Sequence, residues 1–290
     1  MLASYGLLNG ELPPTVMTAL WHSGFSAGRN PFALCYGRPA REGRKGACQY
    51  LARFGRTKEE QVRAYYLWAQ TVPRPLWRYF SHLPLSRFAD AVADMVPPFA
   101  VAQLLIRLDF YWQFRGAVVL DLFSGVCGWL MAFAYLPSHY APRKWIAVDA
   151  DGRRLQICTL ISRNVGVDVK AVRRDLSRPY ARAADVVVGS PPCHEFSIAT
   201  VSRRRDAGQG LALVESFLKS TIASGPELAV MEEAATASEA PGLLAQLLQR
   251  YGFGYGFYDL RDFGAIQLRR RRLVAWRRVS GRVPDRKKRG

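Results

Sequence analysis

The chain has few of the residues that build metal sites and disulfide frameworks. It holds five cysteines, at 35, 48, 127, 158 and 193, and none of them forms a Cys-x-x-Cys pair. An odd number of cysteines without such spacing is typical of a reducing compartment. The four histidines, at 22, 82, 139 and 194, make no zinc-spaced cluster with them. We therefore predict no structural metal and no disulfide framework, and we expect a cytoplasmic protein.

The chain also lacks the features of secreted and membrane proteins. Its first residues, MLASYGLLNGELPP, have neither the basic start nor the long apolar core of a signal peptide. The most apolar stretch runs from Ala117 to Leu136, but Asp121, Gly125 and Gly128 interrupt it. This pattern favours a strand, a loop and a helix over a membrane-spanning helix. We expect no membrane partner.

Acidic residues are strongly outnumbered. Only 23 Asp and Glu stand against 41 Lys and Arg, which gives a net charge of +18 and a pI near 10.2. Of the basic residues, 34 are arginine, which favours planar, bidentate contacts with phosphates and bases. Residues 269–290 alone carry eleven Lys and Arg against Asp285. The charge predicts a polyanionic partner, whose phosphates a basic tail at 277–290 would contact.

The rest of the composition, 49% hydrophobic and 22% charged, is that of a globular protein with a sizeable core. Residues 1–56 show weak periodicity. Thr57-Lys-Glu-Glu60 has the form of a capping box, and apolar residues follow it at helical spacing. Pro97-Pro98 predicts the start of a helix over 97–112. Its apolar face would comprise Val101, Leu104, Leu105 and Leu108.

From residue 116 onwards, strand-like and helix-like segments alternate. The predicted strands are 117–123, 145–150, 167–172, 185–190 and 227–233, and two more flank a turn at Gly264. Helices are predicted from residue 129 and over 152–164, 210–222 and 242–252. This alternation predicts an α/β, Rossmann-like fold with a mostly parallel sheet, helices on both faces and a small N-terminal region. Ligands of such folds bind outside the carboxyl ends of the strands.

Residues that could bind a cofactor follow the first three strands. The first is followed by the glycine-containing turn Asp121-Leu-Phe-Ser-Gly-Val-Cys-Gly128, the second by Asp149 and the third by Asp175. A glycine turn lets the backbone approach a ligand, and an acid at the second strand end can accept hydrogen bonds from ribose hydroxyls. Each acid alone could equally cap a helix or lie on the surface. Together they favour an adenosine-containing cofactor.

The next strand ends carry residues suited to covalent chemistry. The segment Gly189-Ser-Pro-Pro-Cys193-His-Glu-Phe-Ser197 places a cysteine on a stiff turn, where a thiolate would be a strong nucleophile. The alternative is a buried structural cysteine. The fifth strand ends in Glu232-Glu233 at the same edge of the sheet. Gln267-Leu-Arg-Arg-Arg271 offers guanidinium groups to an anionic or carbonyl-rich ligand, or is a solvated basic strand.

In this order, these segments resemble the motifs of the cytosine-5 DNA methyltransferase family over roughly 116–276. The resemblance pairs DLFSGVCG with the first motif, GSPPCHEFS with the Pro-Cys motif, VMEEA with the Glu-Asn-Val motif and QLRRRR with the Gln-x-Arg-x-Arg motif. Asp149 and Asp175 resemble the acids of the second and third motifs. ADMVPPFAVAQLL (93–105) resembles the family's final motif, which normally lies at the C-terminus. The chain therefore resembles a circularly permuted member.

The resemblance implies transfer of a methyl group from S-adenosylmethionine to C5 of cytosine in DNA. In that reading Cys193 adds to C6, Glu232 protonates or hydrogen-bonds N3, and Arg269 and Arg271 steady the base. Phe123 would lie against adenine and Asp149 at the ribose. The cofactor-binding residues that it implies are Asp121, Phe123, Ser124, Gly125, Gly128, Asp149, Asp175 and Pro191.

Three residues depart from the family pattern. Cys127 replaces a glycine, His194 a glutamine and Glu233 an asparagine. Two alternatives stay open: the same chemistry on RNA such as tRNA, and a nucleic-acid-binding subunit that needs a partner for activity.

The domain organisation that follows has three parts. Residues 1–92 form an N-terminal region that could recognise the target, 93–276 the catalytic domain, and 277–290 the basic tail. Family members ordinarily carry a target-recognition domain after the Gln-x-Arg-x-Arg motif, and here only a short tail follows it. The alternative is that a separate subunit supplies target recognition.

Overall fold

The computed structural model describes residues 56–192, 207–234, 240–258, 263 and 272–278. The strands are β1 Val118–Leu122, β2 Lys144–Asp149, β3 Asp168–Arg173, β4 Val186–Gly189, β5 Leu228–Ala234, β6 Gly254–Tyr258 and β7 Arg272–Arg278. The α-helices are α1 Lys58–Ala69, α2 Leu85–Ala93, α3 Pro98–Arg107, α4 Gly128–Met131, α5 Gly152–Val165, α6 Ala207–Ser224 and α7 Ala240–Arg250. Short 3-10 helices lie at Arg74–Phe80, Tyr111–Phe114, Ala132–Tyr135 and Ser138–Tyr140.

The strands form one sheet in the order β3-β2-β1-β4-β5-β7-β6. Within this order, the adjacent strands β3, β2, β1, β4 and β5 pair in parallel. Strand β7 pairs antiparallel with both β5 and β6. The chain order reverses beside β1, because β2 lies on one side of it and β4 on the other. Ligands of open α/β sheets bind in the crevice at such a switch point. The predicted α/β, Rossmann-like fold is confirmed.

Alternate residues of the strands enter two separate hydrophobic layers. Val119 and Trp145 are buried in one layer, which includes residues of α3, α4 and α5. Leu120 and Ile146 point to the other face, where side chains of α6 and α7 cover them. Because both faces are covered, the central strands are apolar at nearly every position instead of alternating with polar residues.

The described part of the N-terminal region belongs to the first of these layers. The capping box is present, since the Glu60 N–H donates to Thr57 Oγ1 and the Thr57 N–H donates to Glu60 Oε2. The backbone N–H groups of Thr57 and Arg56 both donate to the Glu60 carboxylate and lower its pKa. Leu67 of α1 and Phe88 of α2 are buried in the core that also contains β1. Residues 1–55, the larger part of the predicted target-recognition segment, lie outside the described residues.

The helix predicted over 97–112 is shorter than expected. It ends at Arg107, and Asp109 adopts a left-handed φ of 54°. The Phe110 N–H donates to the Leu105 carbonyl and the Asp109 N–H to the Ile106 carbonyl, the hydrogen bonds of a Schellman cap. Glycine usually occupies the left-handed position, so the aspartate gave no stop signal in the sequence. Leu108 is consequently half-buried instead of continuing the buried face.

Gly189 ends β4 where another strand end and a helix approach it closely. A Cβ atom at this position would clash with the Leu122 carbonyl oxygen and lie 2.8 Å from Cε2 of Phe217. We expect Gly189→Ala to lower the free energy of unfolding by about 1–3 kcal/mol, the usual cost of overpacking. Gly242→Ala is the control, because a Cβ there meets nothing within 4 Å. Urea denaturation should show little loss in the control, and equal stability of the two variants would contradict the packing.

Candidate cofactor and catalytic site

The turn between β1 and α4 contains most of the predicted cofactor residues. Phe123, Gly125 and Cys127 all have left-handed φ values, of 57°, 52° and 64°. The Ser124 N–H donates to the Val148 carbonyl at 3.0 Å, and the Cys127 N–H donates to the Ser124 carbonyl at 2.7 Å. Left-handed backbone at non-glycine residues is costly and persists only where surrounding contacts hold it. The turn is therefore a constrained structure anchored to the end of β2.

Asp149 joins this turn to the one that follows β2. Its Oδ2 accepts a hydrogen bond from the Gly125 N–H at 2.8 Å, and its Oδ1 accepts one from the Asp151 N–H at 2.9 Å. A carboxylate oxygen has a second lone pair, so both oxygens can still accept from hydroxyl groups. A Cβ atom built at Gly125 would meet nothing within 4 Å, which leaves open space beside this carboxylate.

Asp121 lies behind the turn and is fully buried. Trp145 Nε1 donates to its Oδ2 at 3.0 Å, while its Oδ1 has no hydrogen-bond partner among the described residues. Burial raises the pKa of Asp121 well above its usual range, and the negative charge of Asp149 adds to the rise. From this position Asp121 can support the turn from within the core. Its contact with a cofactor stays a prediction.

Gly128 begins α4 in close contact with the segment that precedes α3. A Cβ atom there would lie 2.5 Å from the Val96 carbonyl oxygen and 2.7 Å from Met95 Cγ. The α3 helix packs against α4 and against the 3-10 helix Ala132–Tyr135. The segment 93–105 and the glycine turn, which lie apart in the motif order, are therefore neighbours in the fold.

The ends of β4 and β5 leave the sheet side by side. Gly189 is in register with Met231, so Ser190 lies level with Glu232. Pro191 is buried, and Ser190 Oγ accepts a hydrogen bond from Trp129 Nε1 at 3.1 Å. Trp129 belongs to α4, so this hydrogen bond connects the glycine turn to the residue before the two prolines. Cys193, Arg269 and Arg271 lie outside the described residues.

Glu232 and Glu233 are both buried, at 4% and 0% exposure. Consecutive side chains of a strand point to opposite faces of the sheet. Glu232 shares its face with Val230 and the α3–α5 layer, whereas Glu233 shares its face with Met231 and the α6–α7 layer. A substrate bound on one face of the sheet can therefore contact only one of these two carboxylates.

Asp175 follows the end of β3 and is exposed. Its Oδ1 accepts a hydrogen bond from the Ser177 N–H at 2.9 Å, and its Oδ2 accepts one from the Ser177 hydroxyl at 3.0 Å. These hydrogen bonds lower the pKa of Asp175. The side chain thus stabilises a local turn, and its predicted contact with the cofactor is not tested by this geometry.

The prediction that the cysteines form no disulfide is wrong for one pair. Cys127 of the glycine turn and Cys158 of α5 are bonded, with their Cα atoms 5.4 Å apart. They are 31 residues apart in sequence, and they meet because α5 packs behind the turn. Cys127, which stands where the family motif has a glycine, therefore links the turn covalently to α5. The expected absence of disulfides was one reason to predict a cytoplasmic location, and that reason no longer holds. The location stays a prediction.

The sequence also predicted that the protein has no structural metal and no membrane-spanning helix. Within the described ranges, no group of three or more His, Cys, Asp and Glu side chains could hold a metal ion. None of the helices described here is long and apolar enough to cross a membrane.

The raised pKa of Asp121 has a consequence for stability. The folded protein retains this proton at pH values where the unfolded chain, with a pKa near 3.8, has released it. The contribution of Asp121 to wild-type stability should therefore fall as pH rises from about 4 towards the raised pKa. Asp121→Asn removes this dependence, so its free energy of unfolding relative to wild type should rise by up to about 1.4 kcal/mol per pH unit. Urea denaturation between pH 4.5 and 7.5 measures the difference, and a constant difference would contradict the burial.

Comparison with known proteins gives similarity of structure only. No protein-family model matches the chain, and no curated protein matches it. An S-adenosylmethionine-dependent methyltransferase from Clostridium acetobutylicum is 9% identical with a TM-score of 0.43, over 63% of this chain and 92% of that one. TrmN from Thermus thermophilus is 22% identical with a TM-score of 0.42, over 61% and 48% of the two chains.

A third similar structure is the Pyrococcus abyssi tRNA (uracil-54, C5)-methyltransferase in complex with S-adenosyl-L-homocysteine. It is 14% identical with a TM-score of 0.38, over 60% of this chain and 37% of that one. The strand order described above identifies the fold: the chain has a Rossmann-like α/β fold with one mixed, mostly parallel sheet.

Proposed function

We propose that the chain transfers a methyl group from S-adenosylmethionine to C5 of cytosine in DNA. One observation carries the proposal: the neighbouring parallel strands β1, β4 and β5 bring the glycine turn, Pro191 and Glu232 to the same edge of the sheet. Cys193 follows Pro191 by two residues. A cofactor turn, a nucleophile and an acid at one edge are the groups that this chemistry requires.

The described residues fit the cofactor. The open space at Gly125 lies beside a carboxylate that already orders the turn through the Gly125 N–H. Asp149 would accept hydrogen bonds from the ribose hydroxyls, and Phe123, half-buried in its left-handed conformation, would contact the adenine. When bound, the cofactor supplies a methyl group on a positively charged sulfur. The loop backbone and Asp149 hold it in place.

The protein's own residues would activate the base. The Cys193 thiolate forms a bond to C6 of cytosine, and the electron pair of the C5–C6 double bond becomes available at C5. Glu232 donates a proton or hydrogen bond to N3, which stabilises the charge that develops in the ring. After the methyl group is transferred, loss of the C5 proton and departure of the thiolate restore the double bond. Because C6 is inaccessible in a stacked duplex, the target base must be flipped out.

The opposite orientations of Glu232 and Glu233 support the choice of one acid. Glu232 lies level with Ser190, on the sheet face that Trp129 of α4 also covers. The hydrogen bond from Trp129 to Ser190 links the glycine turn to the segment before Cys193. Glu233 points towards the α6–α7 layer, where it would support the sheet. We therefore assign the acid role to Glu232.

The remaining assignments are proposals of the same kind. Arg269 and Arg271 steady the flipped base, and the tail at 277–290 binds phosphates. Target recognition comes from residues 1–92 or from a separate subunit. The contact of the segment 93–105 with the glycine turn, at Gly128, supports a permuted order in which the final-motif helix precedes the cofactor turn.

Cofactor binding tests the role of Asp149. Asp149→Asn replaces one acceptor oxygen by a donor, so it should lose a hydrogen bond to the ribose and weaken S-adenosylmethionine binding about tenfold or more. Asp168→Asn is the matched control, because it removes an exposed carboxylate at the start of β3, at the opposite edge of the sheet. Isothermal titration calorimetry measures both. Equal affinities of the two variants and wild type would contradict the placement of the cofactor.

The covalent step is tested with a cytosine that carries fluorine at C5. This base has no C5 proton to lose, so the adduct with Cys193 should persist after methyl transfer. Denaturing gels of the protein, cofactor and fluorinated duplex should show a slow-moving band for wild type and none for Cys193→Ala. Glu232→Gln should lower the rate of adduct formation by about 100-fold or more, because general acid catalysis typically contributes that much.

Glu233→Gln is the matched control for the acid, since it removes the neighbouring carboxylate on the opposite face. It should form the adduct at close to the wild-type rate. An adduct that forms only with fluorinated RNA would assign the substrate to RNA. An adduct that requires a second protein would identify the chain as a subunit, and a Cys193→Ala protein that still methylates C5 would overturn the mechanism.

A further inference from the structure

A group of exposed arginines surrounds an open cavity beside the candidate cofactor site. The cavity has a volume of about 520 Å³, and Arg87 of α2, Arg153 of α5 and Arg173 of β3 contribute to its lining. Asp151, Gly152 and Gln156 complete the lining. We call this feature the arginine notch. Its residues come from three separate elements that only the folded chain brings together.

The charge of the arginine notch is positive. Its lining includes three guanidinium groups and one carboxylate, that of Asp151. This carboxylate is already engaged, because its Oδ1 accepts the Arg153 N–H at 2.8 Å and its Oδ2 lies 3.9 Å from Nε of Arg154, outside the lining. Among the described residues of the lining, the charged side chains thus sum to +2, and Asp151 is the one acid among them.

One of the guanidinium groups is held in position. Arg173 Nε donates to the Ala150 carbonyl at 3.2 Å, and the Arg173 stem passes Gly152 closely enough that a Cβ there would lie 3.5 Å from Arg173 Cδ. The two terminal nitrogens of Arg173 remain available as donors. A planar guanidinium with a fixed orientation is suited to bidentate binding of a phosphate.

The arginine notch lies at the carboxyl edge of the sheet, on the outer side of the candidate site. Arg173 ends β3, and Gly152 begins α5 directly after the turn that carries Asp149. A polymer whose target base enters the crevice beside β1 and β4 would extend across this edge. Phosphate contacts of this kind fix the orientation of a nucleic acid without reading its sequence.

We propose that the arginine notch binds a backbone phosphate of the nucleic-acid substrate, outside the base-binding and cofactor-binding crevice. The proposal rests on the proposed function, because it takes the polymer that carries the cytosine as its ligand. Arg87, Arg153 and Arg173 would donate hydrogen bonds to the phosphate oxygens. The proposed cofactor contacts and the proposed covalent step use none of the three.

The test compares two triple variants with equal changes of charge. Arg87→Gln/Arg153→Gln/Arg173→Gln neutralises the arginine notch. Arg115→Gln/Arg143→Gln/Arg163→Gln is the control, because these three exposed arginines lie at the opposite edge, before β1, before β2 and at the end of α5. Fluorescence anisotropy measures the binding of a labelled mixed-sequence duplex DNA, and separately of an unmodified tRNA transcript, from about 50 to 200 mM salt. Thermal unfolding and calorimetry with S-adenosylmethionine check that both variants fold and bind cofactor.

The expected result is a smaller salt dependence in the notch variant only. Each lost phosphate contact should flatten the slope of log affinity against log salt by about 0.9 on duplex DNA. Over the fourfold rise in salt, wild type should then lose about 3.5-fold more affinity than the notch variant for each contact. The control should retain the wild-type slope, and both variants should bind S-adenosylmethionine as wild type does.

Three results would overturn the proposal. These are a wild-type slope in the notch variant, an equal flattening in the control, and a wild-type protein that binds neither nucleic acid. The first two can occur in a protein that still forms the Cys193 adduct, so they reject the arginine notch alone. Conversely, the notch variant could show the flattened salt slope although the wild-type protein forms no adduct. That result would support phosphate binding by the arginine notch and reject the proposed reaction.

Discussion

The hydrogen bonds of the Asp149 carboxylate connect the parts of the candidate site. One carboxylate group accepts the Gly125 N–H from the turn after β1 and the Asp151 N–H from the turn after β2. The two turns belong to adjacent strands, so this group fixes the distance between them. The space at Gly125, the left-handed residues around it and the start of α5 all depend on that distance. The Cys127–Cys158 disulfide also joins the turn after β1 to α5, the helix that follows the turn after β2.

The parallel strand order places the residues that follow β4 and β5 at the same edge of the sheet as these two turns. Because β4 lies beside β1 and β5 beside β4, the residues after each strand emerge at one edge without any long-range loop to assemble them. The hydrogen bond from Trp129 to Ser190 then couples the glycine turn to the segment before Cys193. A shift of the turn would therefore be transmitted to Ser190, the residue before the two prolines.

Much of this could be predicted from the sequence. The strands were found because apolar β-rich runs such as VVL at 118–120 are buried on both faces, and the capping box at Thr57 gave the start of α1. The acids and glycines were predicted as site residues because they follow strands, where ligands of such folds bind, and their roles stay predictions. The end of α3 was missed because Asp109 takes a conformation that usually requires glycine. Contacts between distant segments have no local signature, so the sequence revealed neither the disulfide nor the arginine notch.

The proposed transfer of a methyl group to C5 of cytosine can be measured directly from its product. Unmodified duplex DNA and an unmodified tRNA transcript can be incubated separately with the protein and S-adenosylmethionine that carries a deuterated methyl group. Enzymatic digestion to nucleosides and mass spectrometry then identify the labelled product. We expect labelled 5-methyl-2′-deoxycytidine from the duplex, and its absence from the Cys193→Ala reaction. Label on an exocyclic nitrogen or on adenine, or no labelled nucleoside from either polymer, would contradict the account.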